Sequence, residues 1–216
     1  MKRSILILLS LFMVTSSCFA LGVLTTGTTV GDNQLVIDGI YTSTGFIKSA
    51  ASGSLAGIGA RLFYGATKDI DIYGEYWMGS FVISDFDISQ AANMLAVGLK
   101  YSFLKTAAKD PIDLAGFIEL GSLTSKDLTW GMNTFGVTAS KLIRRDLTLF
   151  GSTAITMNSS KIAGTGTKSV SETSTQFGFG AKYDVNSDFA VLGEITRFYL
   201  DSDIYQTISV GIEVKL

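Results

Sequence analysis

The charged residues that could do chemistry in this chain occur singly, at similar positions of a repeated pattern. Arg61 and Glu75 form the clearest pair, because they lie at equal distances on either side of a predicted turn at 67–69. Opposite charges that face each other across two antiparallel strands stabilise the pairing of those strands. We predict that one polar face carries a charge belt of Asp38, Arg61, Glu75, Lys100, Glu119, Lys182, Glu194, Glu213 and Lys215.

Residues that commonly perform acid–base or nucleophilic catalysis are missing or poorly placed. The chain has no His, the side chain whose ordinary pKa lies closest to neutral pH. Two pairs of carboxylates, at 85 and 87 and at 201 and 203, fall in short polar segments where Asp favours turns. Cys18 is the only cysteine, and it lies in the N-terminal leader. We therefore predict that the protein is not an enzyme and has no catalytic, cofactor or metal site.

A hairpin repeated along the chain would position the charge belt. In the segment 57–79, apolar and polar side chains alternate on both sides of the turn with the period of two that a strand requires. Similar segments recur at 96–120, 134–156 and 178–196, although the third of the four has Thr and Ser in place of the charges. Their landmark glycines, Gly59, Gly98, Gly136 and Gly180, are 39, 38 and 44 residues apart. Such self-similarity indicates a repeated supersecondary unit.

Composition and strand length favour a membrane barrel over a soluble sandwich. The chain is 47% hydrophobic and only 17% charged, but beyond the leader no apolar run is long enough for a spanning helix. The alternating segments are about as long as a tilted membrane crossing, whereas soluble strands average about 5 to 6 residues. Tight connections also alternate with longer, irregular ones, as in membrane barrels.

We predict an all-β fold: a single closed, antiparallel, up-and-down transmembrane β-barrel over residues 34–216. Ten strands fit the pattern, with eight or twelve as alternatives. The barrel should have short periplasmic turns and longer outer loops, of which 158–174 is the longest. Inward glycines at 57, 59, 98, 136, 178, 180 and 211 should leave gaps in the lumen. The aromatic residues predicted to point inward are Phe63, Tyr73, Trp77, Phe117, Phe150 and Phe198, and those predicted to form an outward girdle are Tyr64, Tyr101, Phe103, Tyr183 and Phe189.

The N-terminus has the features of a secretory signal peptide. Lys2 and Arg3 precede an apolar stretch at 5–14, and Ala20 is the small residue that a signal peptidase prefers. We predict that residues 1–20 are cleaved and that residues 21–33 form a flexible periplasmic lead-in. Lipidation at Cys18 is the alternative, but Thr15 stands where a lipobox has Leu. Without the two leader cations, 15 basic residues face 19 acidic ones, a net charge of −4, which gives no reason to expect nucleic-acid binding.

The repeated order of glycine, cation, tight turn, glycine and glutamate resembles the small outer-membrane β-barrel proteins of Gram-negative bacteria, in the outer-membrane-protein-A-like or porin-like superfamily. The pattern is clearest where Gly59 and Arg61 precede Gly74 and Glu75. The resemblance implies location in the outer membrane, contact with its lipid and lipopolysaccharide, and insertion by the barrel-assembly machinery. Such chains usually end in Phe or Trp, whereas this one ends in Leu216.

Several functions are compatible with such a barrel. The first is a non-enzymatic structural barrel, or a narrow small-solute pore whose lumen carries the charge belt. The second is an adhesin or receptor that acts through the outer loops, chiefly 158–174. The third is a soluble periplasmic barrel that binds an apolar ligand. No residue pattern selects a particular ligand.

Overall fold

The fold was analysed in a computed structural model, which describes residues 25–48, 53–83, 88–106, 110–126, 128–162, 170–200 and 203–216. The predicted signal peptide, residues 1–20, lies outside the described residues. No helix among the described residues is long and apolar enough to cross a membrane. The ten strands are β1 (Leu35–Lys48), β2 (Gly53–Gly65), β3 (Ile70–Ile83), β4 (Ile88–Leu104), β5 (Asp113–Ser125), β6 (Leu128–Arg144), β7 (Leu147–Ile162), β8 (Val170–Asp184), β9 (Phe189–Leu200) and β10 (Asp203–Lys215).

The strands form a closed antiparallel barrel with up-and-down topology, which confirms the predicted fold and strand number. Each strand pairs with its neighbours in the chain, and β1 pairs with β10 to close the barrel. Asp38 lies opposite Glu213 across this closing pair. Closure leaves no unpaired sheet edge, so the backbone hydrogen bonds of every strand are satisfied by its two neighbours.

The connections at both ends of the barrel join strands that are consecutive in the sequence. At the proximal end, where the chain enters β1 and leaves β10, the connections are 66–69, 105–112, 145–146 and 185–188. At the distal end, residues 49–52, 84–87, 127, 163–169 and 201–202 lie outside the described part of the chain, so the predicted longer outer loops stay a prediction. The predicted loop 158–174 is shorter than expected, because β7 and β8 continue into it and Asn158 pairs with Glu172. Strand pairing there continues after the apolar alternation stops.

The outward face of the barrel is an apolar band. Large side chains such as Ile58, Leu95 and Phe179 are about 60% exposed, at 59%, 62% and 64%. Burying so much apolar surface in lipid is strongly favourable, whereas leaving it in water is not. Four of the five predicted girdle residues, Tyr64, Tyr101, Phe103 and Tyr183, are exposed on this face, and Phe189 is half-buried.

Apolar side chains fill the distal half of the lumen on one wall. Trp77, Met94, Leu123 and Trp130 lie directly opposite one another in register across β3, β4, β5 and β6. All four are at most 2% exposed. The same cluster includes Leu55, Phe81, Ala92, Ala96 and Met132. This wall is packed as a protein core and not as the lining of an open channel.

Inward aromatic rings lie over five of the seven inward glycines that were predicted to leave gaps, so most of those gaps are filled. A Cβ atom at Gly98 would lie 2.2 Å from the Tyr73 ring, and one at Gly136 would lie 2.4 Å from the Phe117 ring. Each ring belongs to the strand that pairs with its glycine. Phe150 covers Gly180 in the same way, and Trp77 covers Gly57, Gly59 and Gly79. All six predicted inward aromatic residues are buried. The landmark glycines of the repeat therefore leave the space that these rings occupy.

The N-terminal segment, residues 25–33, packs inside the proximal mouth of the barrel and is not a free lead-in. Thr138 donates a hydrogen bond of 2.9 Å from its hydroxyl to the Thr25 carbonyl, and the Gly27 amide donates to the Ser140 hydroxyl at 2.9 Å. The Val30 amide donates to the Asp71 carboxylate at 3.1 Å. Thr25 and Thr26 are buried. The prediction of a flexible lead-in is wrong for these residues, because hydroxyl and carboxyl groups of the lumen wall bind their backbone; residues 21–24 lie outside the described part of the chain.

Gly98→Ala tests whether the Tyr73 ring can be packed only when the residue beneath it is glycine. The added methyl group would overlap Tyr73, and we expect the free energy of unfolding to fall by about 1 to 3 kcal/mol, as for overpacking of a core. Gly193→Ala is the matched control, because no heavy atom lies within 4 Å of a Cβ there. Urea titration in lipid vesicles measures both variants. Equal stability of the two would show that Tyr73 can move aside without cost.

Candidate functional site

Two buried ion pairs lie side by side on the lumen faces of β2, β3 and β4. The Nε atom of Arg61 donates to Oε2 of Glu75 at 2.6 Å, and its Nη2 atom contacts the same oxygen. The Nζ atom of Lys100 lies 3.0 Å from Oδ2 of Asp71. No side chain of the two pairs is more than 4% exposed. Buried charges are tolerated when they are paired and hydrogen-bonded in this way.

Aromatic faces separate the two cations and stabilise both. The Arg61 guanidinium lies 5.7 Å from the Phe63 ring centre and 5.4 Å from that of Tyr73. The Lys100 ammonium lies 5.2 Å from the Phe63 ring centre. Cations within about 6 Å of an aromatic face are attracted by the electron density of the ring. The ion pairs and the rings therefore form one packed layer across the lumen.

Asp71 is a site residue that the sequence analysis missed. The register places Lys100 opposite Asp71 on one side and Phe117 on the other, and not opposite Glu119, which is the next charge of the predicted belt. Asp71 shares the inward face with Glu75, four residues further along β3, and that spacing was the available signal. The register between two successive hairpins was not readable from either hairpin alone.

Glu119 lies two residues away from the position that would face Lys100, and its partner is Tyr73. It is opposite Gly98, which is in turn opposite Tyr73. The Tyr73 ring crosses over Gly98, and this brings its hydroxyl group close to the Glu119 carboxylate. A glycine on the intervening strand thus permits contact between side chains of β3 and β5.

A second group of charged side chains lies on β8 and on β10, the strand that pairs with β1 to close the barrel. The Nζ atom of Lys182 is 2.5 Å from Oε1 of Glu213 and 3.7 Å from Oδ1 of Asp184. Ala190 of β9 lies opposite both carboxylate residues, so its small side chain lets Lys182 reach across that strand. Asp38 and Lys215 line the same part of the lumen.

Glu194 contacts the stretch of wall where the repeat has Ser and Thr in place of charges. Its Oε1 atom accepts a hydrogen bond of 3.3 Å from the Ser152 hydroxyl. A Cβ atom at Gly178 would lie 2.1 Å from that same carboxylate oxygen. The glutamate of β9 therefore reaches β7 by lying over a glycine of β8.

The nine predicted residues all face the lumen, where most of them fall into two groups that Asp38 connects. Arg61, Glu75, Lys100 and Glu119 form the group on β2–β5, and Lys182, Glu213 and Lys215 form the group on β8 and β10. Asp38 of β1 lies opposite Arg61 on one side and Glu213 on the other, and Glu194 contacts Ser152. A cavity of about 190 Å³ lies between the groups beneath the N-terminal segment. Among the described residues, no cluster of carboxylate or other ligating side chains could hold a metal ion.

Lys105 ties the N-terminal segment to the proximal turns outside the lumen. Its ammonium lies 2.9 Å from Oδ1 of Asp69 and 3.1 Å from the Thr29 hydroxyl, and it also contacts the Lys68 carbonyl. The hydrogen bond from Lys105 lowers the pKa of Asp69 below its ordinary value of 3.8. The contact is therefore fully present above pH 4 or so and is lost only as the pH falls through the lowered pKa.

Comparison with solved structures supports the closed β-barrel fold. The translocator domain of the autotransporter NalP from Neisseria meningitidis matches with a TM-score of 0.55 at 11% identity, over 86% of this chain and 89% of that one. An outer-membrane channel from Pseudomonas putida F1 matches with a TM-score of 0.54 at 10% identity, over 88% and 97%. The chain has the fold of an outer-membrane β-barrel. The outer-membrane protease OmpT from Escherichia coli is a weaker match, with a TM-score of 0.47 at 12% identity, over 89% and 100%.

These likenesses describe the fold alone, because the identities are so low. No family model matches the chain, and no curated protein matches its sequence. The residues of the lumen must therefore be interpreted from their own contacts.

Reversing one charge of the Arg61–Glu75 pair tests the packed layer. Glu75→Lys would place an ammonium beside the guanidinium, and we expect a loss of about 3 to 5 kcal/mol in the free energy of unfolding, as for a broken buried pair. Adding Arg61→Glu should recover only part of this loss, because Asp38 and Glu119 also act on position 61. Urea titration of the three proteins in vesicles measures the effects.

The control reverses an exposed pair on the proximal surface. Arg144 donates to Asp146 at 2.6 Å, but the Arg144 side chain is 66% exposed. Asp146→Lys should therefore change stability very little. If Glu75→Lys behaves like Asp146→Lys, the lumen pair contributes nothing and the packed layer is not what holds these strands in place.

Proposed function

We propose that this protein is a non-enzymatic barrel of the outer membrane whose side chains seal its lumen, and that its role in the cell envelope is structural. Three properties support the proposal: the outward apolar band, the fold shared with outer-membrane barrels, and the filled interior. Tyr64, Tyr101, Phe103 and Tyr183 supply aromatic side chains at one boundary of the band, where membrane barrels carry an aromatic girdle.

The observation that carries the proposal is the apolar row across the distal lumen. The side chains from Trp77 to Trp130 span four adjacent strands and are almost completely inaccessible to solvent. Barrels of 16 to 18 strands leave an aqueous channel, whereas about eight strands leave a lumen that side chains can fill. In this ten-strand barrel, large rings fill the extra width. The layer of ion pairs and the N-terminal segment narrow the proximal half.

A narrow small-solute pore is a finer alternative within the same class. The lumen wall opposite the apolar row carries hydroxyl groups, including Thr156, Thr196 and Thr207. Buried polar atoms of Asn158, Gln176 and Thr196 on this wall have no hydrogen-bond partner among the described residues. Buried polar groups of this kind are usually satisfied by water. A file of water molecules along β7–β9 would provide the path for such a pore.

Lipid, lipopolysaccharide and the barrel-assembly machinery are the partners that this proposal implies. The apolar band would contact the acyl chains of the membrane, and assembly would use the terminal strand β10. Leu216, which follows β10, is 70% exposed.

A surface receptor is the second candidate, and one observation favours it. Beyond the apolar band, the outward faces of β7 and β8 continue as a polar surface that includes Ser159 and Ser171, while Asn133 and Thr173 lie at the boundary of the band beside Met157. This paired, ordered extension would project from the membrane at the distal end. A partner bound there would not need an open lumen.

Fractionation and conductance test the proposal together. The protein should be recovered with outer membranes, and unboiled samples should migrate differently from boiled ones because a closed barrel resists detergent. In a planar bilayer it should show no steady conductance, or one far below that of a general porin. Recovery in the soluble periplasmic fraction would contradict the membrane assignment and favour the soluble barrel.

Variants of the apolar row show whether the bilayer assay can detect an opened lumen. Trp77→Ala combined with Trp130→Ala removes the two largest side chains of the row and should increase conductance. Met78→Ala is the control, because Met78 faces outward and is 46% exposed. A large, stable channel in the unmodified protein would overturn the sealed barrel and make the protein a diffusion pore.

A further inference from the structure

The cavity beneath the N-terminal segment has the composition of a small binding site. It has a volume of about 190 Å³ and is lined on one side by hydroxyl groups and backbone of 25–29, and on the other by charged side chains of the lumen wall. An apolar cavity of about 150 Å³ can hold benzene, so a solute with several heavy atoms fits here. Thr28 is exposed and Lys215 is half-buried, so the cavity is accessible from the proximal end.

Most charges around the cavity already have partners of opposite sign. Lys100 is paired with Asp71, and it also donates to the Thr28 carbonyl at 2.7 Å. Lys182 and Glu213 are paired at 2.5 Å. These four side chains therefore need no ligand, although their charges still act on anything that enters.

Two charged side chains in the cavity wall, those of Asp38 and Lys215, make no ion pair with a described residue. Asp38 lies opposite Arg61 in the β1–β2 ladder, but Arg61 is bound to Glu75. Asp38 is only 3% exposed, and its Oδ1 atom has no hydrogen-bond partner. The Lys215 side chain makes no ion pair or hydrogen bond with any described residue, although its backbone amide donates to the Asp188 carbonyl. A buried carboxylate without a partner is costly, so a group that donates hydrogen bonds to Asp38 would be stabilising.

The register places Asp38 and Lys215 close enough for one small molecule to contact both side chains. Asp38 of β1 is opposite Glu213 of β10, and Lys215 follows Glu213 on the same inward face. Diagonal neighbours in an antiparallel pair are about 7 to 8 Å apart. An unpaired carboxylate and an unpaired ammonium therefore line one cavity at a distance that a short solute can bridge.

The mixed charge of the wall selects against simple ions. A lone cation at Asp38 would be repelled by Lys100, Lys182 and Lys215. A lone anion at Lys215 would be repelled by Asp38 and Glu213. A solute that carries both charges pairs with each unpaired group at once and leaves the net charge of the site unchanged.

We propose that this cavity binds a small zwitterion of the free-amino-acid class. The ammonium group of the ligand donates to the Asp38 carboxylate, and its carboxylate accepts from the Lys215 ammonium. Thr26 and Thr28, whose hydroxyl groups hydrogen-bond to each other at 2.6 Å, line the opposite side. This site goes beyond the structural role proposed above, because a sealed barrel needs no ligand.

Calorimetric titration of the purified full-length mature protein in detergent tests the site, with glycine and alanine as probes. Acetate and methylammonium carry only one of the two charges and are the matched half-ligands. We expect glycine to bind with one site per chain, and each half-ligand to bind at least about tenfold more weakly, because each loses one charge-assisted contact.

Two variants test which residue binds the ammonium group of the ligand and which binds its carboxylate. Asp38→Asn should weaken glycine binding by about tenfold or more and should improve acetate binding; Lys215→Met should weaken glycine binding similarly and should improve methylammonium binding. Lys141→Met is the control, because Lys141 is exposed on the outward side of β6 and should leave every affinity unchanged. The gel shift between boiled and unboiled samples shows that each variant is folded.

Absence of glycine binding to the unmodified protein would overturn the proposal and leave a cavity that holds only water. Acetate binding as tight as that of glycine would also overturn it, since the site would then be an anion site. If a variant fails to fold, the comparison of glycine with its half-ligands on the unmodified protein still decides. The conductance of the barrel is measured separately, so failure of this proposal leaves the sealed lumen intact.

Discussion

Closure of β1 onto β10 imposes the constraint on which the rest of the structure depends, because it creates a lumen that inward side chains must fill. Ten strands enclose more cross-section than the roughly eight that side chains fill easily. Large aromatic rings fill the extra cross-section. A ring that lies across the neighbouring strand can do so only if the residue beneath it has no side chain. Paired glycines meet this requirement, as where Tyr73 lies over Gly98. Ring and glycine thus act as one unit of packing.

The polar part of the lumen depends on the same device. Tyr73 reaches Glu119 and Glu194 reaches Ser152 only because glycines stand on the strands between them. Each contact joins two strands that are not hydrogen-bonded neighbours. These side-chain contacts therefore brace the barrel across its strands, in addition to the backbone ladder, and they allow charges to be buried with partners. The N-terminal segment uses the remaining hydroxyl groups at the proximal mouth.

Alternation within a hairpin made much of this architecture predictable. It revealed ten strands, the inward aromatic residues and the Arg61–Glu75 pair, because each of these is encoded on either side of one turn. Contacts between hairpins were harder to predict, since Lys100 pairs with Asp71 through a register that no single turn determines. The ends of β7 and β8 were missed because both faces become polar there. The position of residues 25–33 was missed because polar Thr and Gly residues resemble a free linker until their lumen partners are known.

Quenching of tryptophan fluorescence tests the sealed lumen most directly. The chain has two Trp residues, Trp77 and Trp130, and both lie in the apolar row, at 0% and 2% exposure. In vesicles, our account predicts blue-shifted emission that neither aqueous iodide nor brominated acyl chains quench strongly, because the rings face neither water nor lipid. Strong quenching by iodide would mean that the distal lumen is open to water. Strong quenching by brominated lipid would mean that the inward and outward faces have been assigned the wrong way round.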